Sequence, residues 1–171
     1  IFGIEIKVDS SWLVIFFLVT WMLAVTYFPK QFPGWDQGLY WFIGIITSLL
    51  FFASVLVHEL AHSLVAIKQG EKVRGITLFI LGGVAQITEE PKLPVREFFM
   101  ALVGPVSSLF LALVFLILSF VFKGVSKPLS ASASYLAIIN ASLAIFNLLP
   151  GSPMDGGRVS RSIMWKITGN L

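Results

Sequence analysis

The chain has 171 residues, 57% hydrophobic and 12% charged, with no cysteine and a mean hydropathy of +0.90. This is membrane-protein composition, and the missing thiols exclude a disulfide scaffold, a thiolate metal site and a thiol nucleophile. The net charge of +3 comes from basic residues in short gaps between apolar runs, which read as topology signals, so no nucleic-acid binding is expected of this chain.

In chain order, FGIEIKV alternates apolar and polar residues as a strand does. Four apolar segments follow, Trp12 to Phe28, Leu39 to Ile67, Phe98 to Phe122 and Tyr135 to Leu149. About 20 residues are needed to cross a bilayer, so the first and last are short and call for tilt, thinning or burial against neighbours. FPKQFPGWDQG reads as a turn and KGVSKPLSAS as a polar connection. Between the second and third segments, VRGITLFILGGVAQIT is rich in Val, Ile, Thr and Phe and broken by Gly82 and Gly83, which predicts a hairpin over about 74–88. A fifth helix is expected from near Val159. Trp12, Trp21, Trp35 and Trp41 are expected as interface anchors, and the phenylalanines as lipid-facing surface.

The expected fold is an α-helical polytopic integral membrane protein, with about four transmembrane helices and a small membrane-edge β-sheet, forming one unit over residues 1–171. The ends, IFGIEIKV and ITGNL, read as cuts in a longer chain. With the N-terminus inside, the inner side carries Lys7, Lys68, Lys72, Arg74, Lys92, Arg96, Arg158, Arg161 and Lys166, against Lys30, Lys123 and Lys127 outside. The excess of inner Lys and Arg sets the N-terminus, and the ends of the second and fourth segments, on the cytosolic side.

Charge at the centre of a membrane helix costs about 2.5 to 3.5 kcal/mol on insertion scales, so each instance needs a reason. Seven of the nine acids fall in loops or at expected helix ends: Glu5, Asp9, Asp36, Glu71, Glu89, Glu90 and Glu97. Glu59 and Asp155 remain. The only two histidines, His58 and His62, flank Glu59 in SVLVHELAHSLVA. This is His-Glu-x-x-His spacing. On a helix, residues four apart share a face, so both imidazoles reach one metal ion while Glu59 projects to the side, toward an activated water. Two imidazoles leave a tetrahedral zinc short of protein ligands, and hydrolytic sites commonly add a carboxylate.

Asp155 is the candidate for that ligand. It lies in NLLPGSPMDGGR, a Pro- and Gly-rich break on the same membrane side as the histidines. His62 to Lys68 is about one and a half helical turns, which sets the metal roughly 10 Å inside the boundary. Irregular backbone is tolerated at that depth where it lines a wet cavity, as Gly151, Gly156 and Gly157 would allow. Plain structural readings compete. In a soluble helix the His pair is often a solvated face, which a membrane helix lacks; Asp-Gly favours turns; Asn147 can bond backbone within the membrane; Gly82-Gly83 reads as a turn.

With these stretches in view, the sequence resembles the site-2 proteases, zinc metalloproteases of peptidase family M50 that cut substrates within the membrane. HELAH at 58–62 is similar to the family's metal-binding motif, and NLLPGSPMDGGR at 147–158 to its second motif, with Met154 where Leu is usual. FILGGVAQ resembles the family's membrane-associated hairpin. The resemblance covers about residues 1–165 and implies that His58, His62 and Asp155 bind Zn2+, with Glu59 as general base. It implies that Asn147 helps hold the substrate backbone or developing charge, and that the strand around Gly82 and Gly83 pairs with an unwound substrate. The branch suggested is the compact microbial one without a PDZ insertion, in which further helices and nucleotide-sensing CBS modules follow the core. Expected partners are a transmembrane protein substrate and the lipid bilayer, with a homodimer as a candidate assembly, in a prokaryotic cell membrane.

The expected reaction is peptide hydrolysis, with Glu59 taking the proton of water and passing it to the leaving nitrogen. One rival is a metal or proton transporter, but ion pathways need successive sites and this chain has one cluster. A second is a membrane zinc protease with a downstream Glu ligand, for which only Glu97, at a helix edge, is available. A third is a catalytically silent membrane binder, against which the presence of Glu59 beside all three ligands argues. The ligand set by itself permits several metals.

Overall fold

The computed structural model describes residues 3–80, 82–87 and 93–169. Glu89, Glu90 and Lys92, and the last residue of the expected hairpin, lie outside them. Strand β1 (Glu5–Val8) leads into helix α1 (Ser10–Trp21), a π-helical stretch (Met22–Tyr27) and α2 (Phe28–Gln31). The last three run on as one helical span, Ser10–Gln31. Helix α3 (Gln37–Lys68), strands β2 (Val73–Phe79) and β3 (Gly82–Ile87), and helices α4 (Pro94–Phe122), α5 (Lys127–Asn147) and α6 (Asp155–Thr168) follow. The Ser10–Gln31 span, α3, α4 and α5 are long and apolar enough to cross a membrane, which makes this a multi-pass membrane protein with a small sheet.

Local chemistry explains the boundaries. Asp9 caps α1, its carboxylate accepting from the Ser11 N–H at 2.9 Å, and Asp36 caps α3 through Gly38 N–H at 2.8 Å. Pro94 and Pro128 open α4 and α5 at first-turn positions, where a missing N–H costs nothing. Gly169 closes α6 in the left-handed conformation.

Two expectations are corrected. The stretch KPLSAS, read as the end of a polar connection, forms the first turns of α5 together with Ala133 and Ser134. Its small residues are not lipid-facing: Ala131, Ser132 and Ala133 are buried, Ser130 Oγ donates to the Ser119 carbonyl at 2.8 Å, and Thr47 Oγ1 donates to Ser132 Oγ at 2.9 Å. Such residues let helix backbones approach closely, a helix-packing signal that a hydropathy count misses. Likewise FPKQ is helical and extends the first span. Of the expected interface tryptophans, Trp12 packs inward against Phe16 and Phe52, and Trp35 joins Phe32 and Tyr40 beside the buried cluster of Leu23, Phe28 and Ile43. Many phenylalanines are exposed on the outer faces of the spans, among them Phe42, Phe110 and Phe120.

The sheet order is β1-β2-β3, with β1 parallel to β2 (Ile6 opposite Ile76) and β2 antiparallel to β3 (Leu78 opposite Gly83). Ile76 and Leu78 are buried, and β2 and β3 both pack on α3. Strand β1 precedes the first crossing, β2 follows the second, and α6 follows the fourth. An even number of crossings puts the sheet and α6 at the same membrane face, beside the end of α3 that carries both histidines.

Candidate metal centre

His58, Glu59 and His62 sit about one and a half to three turns before the end of α3, and Asp155 is the first residue of α6. The structure brings them together. His58 Nε2 and His62 Nε2 each lie 3.1 Å from Asp155 Oδ2 and 3.2 Å from one another. Both rings are buried, at 4% and 5% exposure. Four tetrahedral ligands at about 2.0–2.1 Å from zinc stand about 3.3 Å apart, so these three atoms already have the spacing of a shared ion.

The donor set makes the same point chemically. His62 Nδ1 lies 2.6 Å from the Met100 carbonyl oxygen, which only accepts, so Nδ1 donates there and Nε2 is the nitrogen left facing His58 and Asp155. His58 Nδ1 is engaged by Ser108 Oγ at 2.9 Å. Two imidazole nitrogens and a carboxylate oxygen thus converge on one point, an arrangement that fits a cation between them. Among the described residues, this is the group of His and acidic side chains that can hold a metal ion. Burial pushes the Asp155 carboxyl up, but hydrogen bonds with His58 and His62 and their charge outweigh it, leaving a pKa lowered to about 2. Asp155 therefore carries a negative charge at neutral pH, as a ligand to a cation would.

Helix α4 frames this centre without ligating it. Met100, Gly104 and Ser108, spaced four apart, lie on one helical face. A Cβ on Gly104 would fall on the His62 and His58 rings, so the missing side chain is what admits both imidazoles. Sequence reasoning missed these residues, because a carbonyl, a glycine and a serine inside an apolar helix carry no chemical signature.

Glu59 faces the sheet. A Cβ on Gly83 would meet the Glu59 side chain, so Glu59 packs directly against β3. Gly82, with φ of +131°, opens β3 in a conformation few other residues adopt. A cavity of about 740 Å³ is lined by His58, Glu59, His62, Gly82, Gly83, Asn147, Asp155 and Arg158, with Ile15, Val19 and Met22 of the first span on its apolar wall. Asn147 thus shares the cavity, although its Nδ2 donates to the Leu143 carbonyl at 2.9 Å.

The profile of peptidase family M50 matches residues 46–134 and 123–171. A protein of Synechocystis sp. with the provisional name of zinc metalloprotease is 46% identical over 99% of this chain and 44% of its own length. Rip3 of Mycobacterium tuberculosis, provisionally named likewise, is 40% identical over 98% of this chain and 43% of its own. A solved site-2 protease from Methanocaldococcus jannaschii superposes with a TM-score of 0.64 at 30% identity, covering 98% of this chain and 70% of that one. The chain spans less than half the length of these curated relatives. Alike in sequence along nearly its whole length and built on the same helical core and sheet, the chain belongs to peptidase family M50.

Proposed function

We propose that this chain is the catalytic core of a zinc-dependent intramembrane endopeptidase that cuts transmembrane segments of membrane-anchored proteins. The observation that carries the reading is the convergence of His58, His62 and Asp155 within 3.1–3.2 Å, beside Glu59, in a helix long enough to cross a bilayer. The names of the relatives point to zinc. The inner excess of Lys and Arg supports a cytosolic site in a prokaryotic cell membrane.

His58, His62 and Asp155 would hold the ion. When bound, zinc supplies Lewis acidity, polarising a carbonyl and lowering the pKa of water from 15.7 toward about 7. Glu59 takes the proton of the attacking water and delivers it to the amine nitrogen as the peptide bond breaks. The walls from the first span and α5 are largely apolar, which disfavours bulk water beside the reacting groups.

A helical substrate hides its peptide bonds, and its freed N–H and C=O groups need partners once it unwinds. Strand β3, at the sheet's edge and lining the cavity, offers them by strand addition. Gly82 and Gly83 leave its backbone bare, and Asn147 on the facing wall holds the substrate backbone. The test is elemental analysis of the purified chain and its Glu59→Gln and Asp155→Ala variants, alongside cleavage of a membrane peptide with a destabilised helix. About one zinc per chain in wild type and Glu59→Gln, less in Asp155→Ala, and cutting by wild type alone is expected. No zinc in wild type, or full retention in Asp155→Ala, overturns the reading.

A further inference from the structure

Asp155 reaches the histidines from α6, a helix that packs principally on α4 and not on α3, which carries them. Something must therefore set α6 relative to α3 through α4. At its start α4 buries an acid completely: Glu97 has 0% exposure. Its Oε1 accepts from Arg161 Nε at 2.9 Å and from Arg161 Nη2, and Arg158 Nε stands 3.9 Å away. One carboxylate thus faces two guanidinium groups of α6, while Oε2 makes no hydrogen bond.

A buried pair of this kind is weak evidence for net stability, because desolvation offsets its attraction; where it serves, it fixes register. The geometry here shows which register. On α6, Asp155, Arg158 and Arg161 follow at three-residue steps, each about 60° further round the axis. Holding Arg161 on Glu97 therefore fixes the rotation at which Asp155 meets the histidines. A carboxylate about 5 Å from a helix axis moves about 1.7 Å for a 20° turn, well beyond the tolerance of about 0.2 Å on metal–ligand distances. Glu97 lies on the same stretch of α4 as the Met100 carbonyl, which orients His62, so one helix start governs a ring on α3 and the carboxylate on α6.

We propose that Glu97, acting through Arg161, is a positioning residue for the metal centre, setting the rotation of α6 that delivers Asp155. This rests on the metal-binding reading above. The test is zinc affinity of the whole chain in detergent, by competition with a chelating dye, for wild type, Glu97→Gln, Asp155→Ala and the double variant, with the cobalt absorption spectrum as a second readout. Expected is a loss of about 10–100-fold in affinity for Glu97→Gln and a shifted cobalt spectrum. In the Asp155→Ala background the same substitution should change affinity by less than about twofold, because the ligand it positions is gone. An equal loss in both backgrounds, or no loss in either while Asp155→Ala weakens binding, overturns the proposal and leaves the metal centre standing. Absence of zinc from wild type overturns the metal centre itself. Should Glu97→Gln fail to fold, Arg161→Gln, whose side chain is 44% exposed, is measured in the same cycle and decides by the same criteria.

Discussion

Gly104 lies against His62 so closely that a single added methyl group would occupy the imidazole's place. The contact is between a residue with no side chain and the ring that α3 turns toward α4. Gly104→Ala should therefore displace both histidines, lowering zinc affinity by on the order of 100-fold and stability by about 1–3 kcal/mol through overpacking. Gly124→Ala, where a new Cβ meets nothing within 4 Å, is the matched control and should bind zinc as wild type does. Equal affinities for the two variants would refute this account of Gly104.

Ser108 and the Met100 carbonyl hold the outer nitrogens of the two rings. Only the first can be removed by mutation. Ser108→Ala should free the His58 ring and reduce zinc affinity about tenfold, the low end for a partner behind a ligand. Ser107→Ala, which removes a hydroxyl that donates to the Gly104 carbonyl and to neither histidine, should leave affinity within about twofold. The checking measurement is dye-competition titration of both variants.

The candidate site residues were legible in the sequence because each is an expensive residue in an apolar setting. His58, Glu59 and His62 interrupt the apolar run of a membrane helix, and Asp155 sits in a Pro- and Gly-rich stretch on the same membrane side. Nothing comparable marks the groups behind them. Glu97 reads as an acid at a helix boundary, and its partner Arg161 lies 64 positions away, so their pairing emerges only from the packing of α6 on α4. The early start of α5 was hidden for a related reason: Ser and Ala there face protein, so hydropathy understates how deeply they sit. The sheet was readable as strands, but alternation says nothing of which strands pair, and the parallel match of β1 with β2 needed the structure.

Glu59→Gln keeps the size of the side chain and removes its basicity. It should retain about one zinc per chain yet lower the cleavage rate by roughly 10²–10⁴-fold, the range for loss of a positioned general base. Metal content and single-turnover cleavage measured on the same preparation would separate this from a loss of metal.

The hairpin is tied to the first span by a short polar latch. Ser11 Oγ donates to Asp9 Oδ1 at 2.6 Å and accepts from the Ile80 N–H at 3.2 Å. Hydrogen bonds from the Ser11 hydroxyl and N–H hold the Asp9 carboxyl below its ordinary 3.8. A carboxyl lowered on folding stabilises the latch fully above its unfolded pKa and loses that contribution as pH falls through the folded value. Hydrogen exchange at Ile80 should thus be slow and flat from neutral pH down to about 4 after correction for intrinsic rates, then accelerate below 3.8. In Ser11→Ala it should be faster at every pH. A protected Ile80 amide in that variant would rule the latch out.

Strands β1 and β2 pair residue 5 with residue 75, and everything between them crosses the membrane twice. The strand that faces the cavity is antiparallel to β2 and edges a sheet whose first member is made long before the others. During synthesis, therefore, the sheet closes only after two helices have been inserted, and the carboxylate from α6 joins the histidines only after two more. The group of His58, His62 and Asp155 is therefore assembled only after all four described spans have been made, so a chain with fewer of them in the bilayer lacks the cluster that could hold a metal ion.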